Sequence, residues 1–141
     1  MASRFRYALQ PLLAHALEAE QVARRAHVEA ASAVDAAIRE LVALERSALA
    51  LGTNLREGGV GWYRREVDAR LARLDAVGLA RRRDLEAARA RLGDVRAELE
   101  IAVRRRMQLE RHRARRLERH RLEREINEEA ELEEFSKVAS L

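Results

Sequence analysis

Apolar residues recur at alternating steps of three and four along the first third of the chain: Leu9, Leu13, Ala16, Ala23, Ala30, Val34, Ala37, Leu41, Leu44, Ala48, Leu51 and Leu55. Only Glu20 and His27 interrupt the series. Spacing of this kind paints one stripe along a slightly underwound helix and keeps that stripe facing a partner. A shorter flanking row, Ile38, Val42 and Leu49, widens the apolar face. The same period returns at Val67, Leu71, Leu74, Gly78, Leu85, Ala88, Leu92, Val95, Leu99 and Ala102, with Arg81 as the polar interruption. Beyond Ala102 two continuations compete. The unbroken register lands on Arg106, Leu109, Arg113 and Arg116, whereas the apolar residues Val103, Met107, Ala114 and Leu117 define a shifted stripe. Such a shift marks either a local unwinding of a coiled coil or the end of the partner helix.

Between the two periodic segments lies Glu57-Gly58-Gly59-Val60-Gly61. Gly52 and this glycine group are expected to stop the first helix and supply the reversal. The fold class predicted is all-α, a two-helix antiparallel coiled-coil hairpin whose second helix is the longer. Its parts are an arm over 1–10, helix one over 11–55, a turn over 56–61, helix two over 62–136 and a tail over 137–141, all in a single domain. At a rise of about 1.5 Å per residue the helices would be about 68 and 112 Å long. Reversal near Gly59 sets Leu41 opposite Gly78 and Leu9 near Glu110, which leaves the chain beyond Arg111 without a partner. Pro11 suits a first helical turn. The alternation of Phe5, Tyr7 and Leu9 before it puts three apolar side chains on one side of an extended arm, able to fold back on the hairpin or onto a partner.

Composition sharpens this picture. Aromatic residues make up 4% of the chain and charged residues 37%, enough to zip a seam but not to fill a globule. Lysine and arginine total 28 against 24 acidic residues. All of the basic set but Lys137 is arginine, a bias that genome base composition explains as readily as selection for bidentate phosphate contacts. The absence of cysteine rules out a disulfide framework or thiolate metal site and fits a reducing cytoplasm. The uncharged runs, Tyr7 to Leu17 and Ser47 to Leu55, fall far short of the ~20 apolar residues that cross a bilayer. Arg4 and Arg6 followed by Tyr7–Leu17 and Ala14-His15-Ala16 imitate a secretory leader, and a periplasmic chaperone beginning after Ala16 would follow from it. Gln10, Pro11 and His15, and leucines that continue the helical period, favour a structural segment instead.

The most uneven charge lies near the C-terminus. From Arg104 to Arg124 stand ten arginines, His112, His120 and only three acidic residues, Glu110, Glu118 and Glu123. From Glu125 to Glu134 there are six glutamates and no base. None of Glu110, Glu118 and Glu123 has a base four residues on, the spacing that best supports a solvated helix. Docking on an acidic partner surface is therefore preferred to a solvated face. Nucleic-acid binding would be phosphate-driven and salt-sensitive, but the stretch lacks stacking aromatics and any reader motif. His112 and His120 share a face yet stand about two turns apart, too far for one metal ion. No catalytic, phosphate-loop or metal string occurs, and a thin hairpin offers no water-excluding pocket. The expectation is a protein that is not an enzyme, with no cofactor, metal or small-molecule substrate. Trp62 and Tyr63 after the glycines serve either as a binding anchor or as a cap on the seam, with Leu49 and Val67 close enough to join.

The opening string Arg4-Phe5-Arg6-Tyr7-Ala8-Leu9-Gln10-Pro11-Leu12-Leu13 resembles the start of the flagellar FliJ family, a basic-aromatic pair followed by Leu-Gln-Pro-Leu-Leu. The close, Glu131-Leu132-Glu133-Glu134-Phe135-Ser136-Lys137-Val138-Ala139, is similar to that family's terminal hydrophobic-acidic signature. The aromatic pair after the glycine turn also fits. The related secretion-system YscO proteins share the architecture. The resemblance implies a stalk-like component of the bacterial flagellar type III export apparatus, cytoplasmic and peripheral at the inner membrane. Such a protein binds the hexameric export ATPase, promotes its assembly and activity, links it to the export-gate membrane protein and escorts export chaperones. Under this reading Arg111, Arg113, Arg115, Arg116, Arg119 and Arg121 meet the ATPase, and Leu49, Trp62, Tyr63 and Val67 meet the gate. The alternatives are a self-associating structural coiled coil that buries Ile38, Val42 and Leu49, and a basic nucleic-acid-binding hairpin.

Overall fold

The structure, a computed structural model, describes residues 4–57 and 61–141, with side chains for 4–53 and 64–141. It is all-α and forms a helical hairpin: α1 spans Gln10–Glu57 (48 residues) and α2 spans Gly61–Ala139 (79 residues), so the second helix is the longer. Among the described residues there is no strand, and no helix is long and apolar enough to cross a membrane.

Contacts gather into two compact units, one of Met1–Val22 with Glu100–Leu141 and one of Ala23–Leu99. In the second unit the stripe read from the sequence is the buried side of both helices. Ala30 and Val34 of α1, and Val67, Leu85 and Val95 of α2, are buried. Leu41, Leu44, Ala48, Leu71, Leu74, Gly78, Ala88, Leu92 and Leu99 are partly covered. Leu41 and Gly78 line the same shallow recess, as an antiparallel reversal requires. Each fully buried valine or leucine contributes about 1.5–3 kcal/mol, so this narrow seam rests on many small increments. The polar interruption Arg81 stays exposed and reaches across to Glu40 at 3.2 Å, with Asp84 at 3.6 Å on its own helix. The flanking residues Ile38 and Val42 are each 39% exposed and Leu49 71%.

In the first unit Leu13 and Ala16 are buried, and so is Glu20. Past Ala102 the two continuations divide unevenly. Arg106, Leu109 and Arg113 of the unbroken register are partly covered and its Arg116 is exposed, whereas Met107, Ala114 and Leu117 of the shifted stripe are exposed and its Val103 is partly covered. Arg106 turns to the seam because it meets Glu20 there: the Arg106 guanidinium binds the Glu20 carboxylate through its Nε, and its Nη1 lies 2.7 Å from Glu110. A charge that is paired and hydrogen-bonded can occupy a seam position that an isolated one cannot.

All four helix ends differ from the expected ones, and residues 56, 57 and 61 of the expected turn are helical. Gly52 does not stop helix one; it sits within α1 in ordinary helical backbone, because one glycine weakens a helix without ending it. α1 also starts at Gln10, whose N–H donates to the Tyr7 carbonyl at 3.1 Å, with Pro11 inside the first turn. Residues 137–139 belong to α2 instead of forming a tail. Nothing in Ser-Lys-Val-Ala breaks a helix, Lys137 complements the dipole of the last turn, and the Ser140 N–H donates to the Ser136 carbonyl at 3.1 Å. Residues 58–60, the centre of the expected turn, lie outside the described residues.

Candidate functional site

The chemistry gathers in the first unit, where the N-terminal arm lies along α2. Phe5, Tyr7 and Leu9 are half-buried and Arg4, Arg6 and Ala8 exposed, the period-two alternation of an extended segment with one covered side. The Tyr7 hydroxyl stands 2.6 Å from His112 Nδ1 and 3.4 Å from the Leu109 carbonyl oxygen. A phenol both donates and accepts. Either it donates to Nδ1, or Nδ1–H donates to it and its own proton goes to Leu109. Their rings also contact, with centroids 5.6 Å apart. Phe5 packs against His120 at 5.5 Å between centroids and carries the Arg113 guanidinium over its face at 5.7 Å, within the range of a cation–π contact.

This overturns the expectation that the chain beyond Arg111 has no partner: the arm covers α2 as far as His120. Three aromatic contacts and the hydrogen bonds of the Tyr7 hydroxyl with His112 and Leu109 order a six-residue segment that periodicity alone leaves free. It also gives His112 and His120 a role. They are seats for Tyr7 and Phe5, and among the described residues no group of histidine and carboxylate side chains could hold a metal ion.

Arm and helix enclose a recess lined by Arg4, Arg6, Arg116, Arg119, His112, His120 and Glu123 beside the aromatic residues. Of the six arginines expected to contact an ATPase, the structure brings Arg116 and Arg119 into this recess and places Arg113 under Phe5. Arg111, Arg115 and Arg121 are exposed outside it. The six therefore do not form one uniform face. Pairing within the helix is also better than the sequence suggested: Arg119–Glu123 (3.8 Å), Arg121–Glu125 (3.7 Å) and Arg124–Glu128 (3.7 Å) are all i, i+4 pairs. Here the base precedes the acid, the less favourable order, and the side chains are 48–71% exposed. The hydrogen bond that Arg106 donates to Glu110, then the one it donates to Glu20, raises the Arg106 pKa above its ordinary value.

The residues expected at the export gate divide. Leu49 is exposed, but Val67 is 2% exposed and closes the seam of the second unit, so it cannot present itself to a gate without opening that seam. Trp62 and Tyr63 lie outside the described side chains. Two relationships escaped the sequence reading, Glu20 with Arg106 and the arm aromatics with the two histidines. Both left a signal: a polar residue on each stripe, and an alternating arm facing two histidines eight apart.

The class defined by these observations is an α-helical hairpin with an aromatic strap over a basic helix face, followed by an acidic helix end. Compared with protein-family models, curated proteins and solved structures, the chain matches none of them.

Proposed function

We propose that this chain is a non-catalytic, stalk-like component of a type III protein export apparatus, of the flagellar FliJ kind. It binds the hexameric export ATPase, promotes its assembly and activity, and links it to the export-gate membrane protein at the cytoplasmic face of the inner membrane; it also escorts export chaperones. The observation that carries the reading is that α2 remains helical through Ala139 while every residue from Arg121 onward is exposed. A single helix end of this kind fits a narrow ring lumen. Its support is the likeness of the opening string Arg4–Leu13 and of the acidic-hydrophobic close. Arg111, Arg115 and Arg121 are exposed outside the recess, Arg121 in a long pair with Glu125, and the recess arginines Arg116 and Arg119 join them at the edge of the strap. Leu49 is the described residue best presented to a gate.

The test is ATP hydrolysis by the hexameric export ATPase of the same cell, with and without this chain. The full chain is expected to bind and to raise turnover. The triple substitution Arg111→Glu, Arg115→Glu and Arg121→Glu, all on exposed positions, is expected to abolish stimulation while helicity is unchanged. Equal stimulation by both chains would remove the role given to the basic stretch, and no binding by either would sink the export reading.

A further inference from the structure

Past the arm, α2 carries a second stripe that neither α1 nor the arm covers. Ala114, Leu117, Arg121, Arg124, Glu128, Glu131, Phe135 and Val138 follow one another in unbroken steps of three and four, and all eight are exposed. Leu117 is 41%, Phe135 73% and Val138 69% exposed. Read in order, the stripe is two apolar residues, two basic, two acidic and two apolar. It is therefore complementary to itself when reversed about position 126. We infer that, in the chain not engaged with a ring, this stripe is the contact surface for a second copy, whose α2 lies antiparallel along it; the pair must part before a single helix end enters the lumen of the proposed function.

In that register Ala114 meets Val138 of the second copy and Leu117 meets its Phe135. Arg121 meets Glu131 of the second copy and Arg124 its Glu128, and every contact occurs twice by symmetry. Glu128, Glu131, Leu132 and Phe135 already line a shallow recess. Their spacing of i, i+3, i+4 and i+7 is that of the hole which receives one knob in coiled-coil packing. Two of its four walls are carboxylates, so the matching knob is cationic, and the antiparallel register brings Arg121 of the other copy to it. A parallel pairing would instead set Arg121 against Arg121 and Glu128 against Glu128, like charges face to face. The intrahelical pairs Arg121–Glu125 and Arg124–Glu128 are long and exposed, so exchanging them for pairs across the contact costs little. The overlap from Ala114 to Val138 is about 36 Å of helix, a short coiled coil that forms as concentration rises. Its ion pairs make it sensitive to salt.

Because the chain has no cysteine, the register can be read directly. Leu117→Cys chains mixed with Phe135→Cys chains are expected to form a mixed disulfide, while neither variant links to itself. Independently, the mass of the native chain in solution should move from one chain toward two with concentration and return with added salt. Arg121→Glu with Arg124→Glu, and Glu128→Arg with Glu131→Arg, should each give single chains, and mixing the two variants should restore a one-to-one pair. Circular dichroism should show unchanged helicity in all of them, since the substituted positions are exposed. A one-chain mass at every concentration, Leu117→Cys linking to itself, or charge variants that still pair with themselves would each overturn the proposal.

Discussion

Arg106 and Glu20, 86 positions apart in the chain, meet in the seam of the first unit, where the guanidinium binds the carboxylate and reaches on to Glu110. Glu20 is one of the two polar residues in the α1 stripe, and Arg106 is a polar position where the α2 register continues past Ala102. A part-buried charge pair of this sort is weak evidence for stability but a good device for register, because a slip separates the buried Glu20 carboxylate from its guanidinium.

Replacing either partner alone, as Glu20→Ala or Arg106→Ala, should lower the thermal midpoint by roughly 5 °C or more, since one charge keeps its seam position without the other. The double change Glu20→Leu with Arg106→Leu should recover the midpoint or exceed it. Thermal melts followed by circular dichroism check both. A double variant as weak as the worse single one would show that the pair, and not apolar burial, holds this part of the seam.

Gly78 faces the seam of the second unit, yet a Cβ built there meets nothing within 4 Å, and the same holds for Gly52 and Gly93. Helical glycine costs about 0.5–1 kcal/mol relative to alanine. Gly78→Ala and Gly93→Ala are each expected to stabilise the chain by about that much, read from denaturant melts.

Val67 and Leu49 should respond oppositely to truncation. Val67→Ala removes buried methyl groups and should cost about 2 kcal/mol; Leu49→Ala, on an exposed position, should stay within about 0.5 kcal/mol. If Leu49 contacts a gate protein, its loss shows as weakened binding with stability intact. For Val67 any binding loss should track unfolding.

The arm predicts a pairwise pattern in the imidazole resonances. Ring currents from Tyr7 and Phe5, with centroids 5.6 and 5.5 Å from His112 and His120, displace the signals of the two histidines. Phe5→Ala should shift the His120 signals alone and Tyr7→Ala mainly those of His112, as seen by nuclear magnetic resonance. A crossed pattern would place the arm in another register.

The helices and the buried side of each could be read without coordinates, because the period of side chains around a helix is a property of the backbone alone. Val34 and Leu41 had to share one stripe, and Leu85 and Val95 another, wherever the helices went. The strong C-terminal charge division was equally plain. What periodicity could not say is which polar position tolerates burial. Arg106 and Met107 looked like competing choices, and only the nearness of Glu20 across the seam made the arginine the inward one. The arm was legible as an alternating segment but not as to its seat, since its ordering depends on finding His112, Arg113 and His120 at the right places on another element. Gly52 shows the reverse error, for a local helix breaker was outweighed by the helix around it. Local geometry follows from the order of residues, then, whereas the pairing of charges and rings distant in the chain is decided by the fold that brings them within a few ångströms.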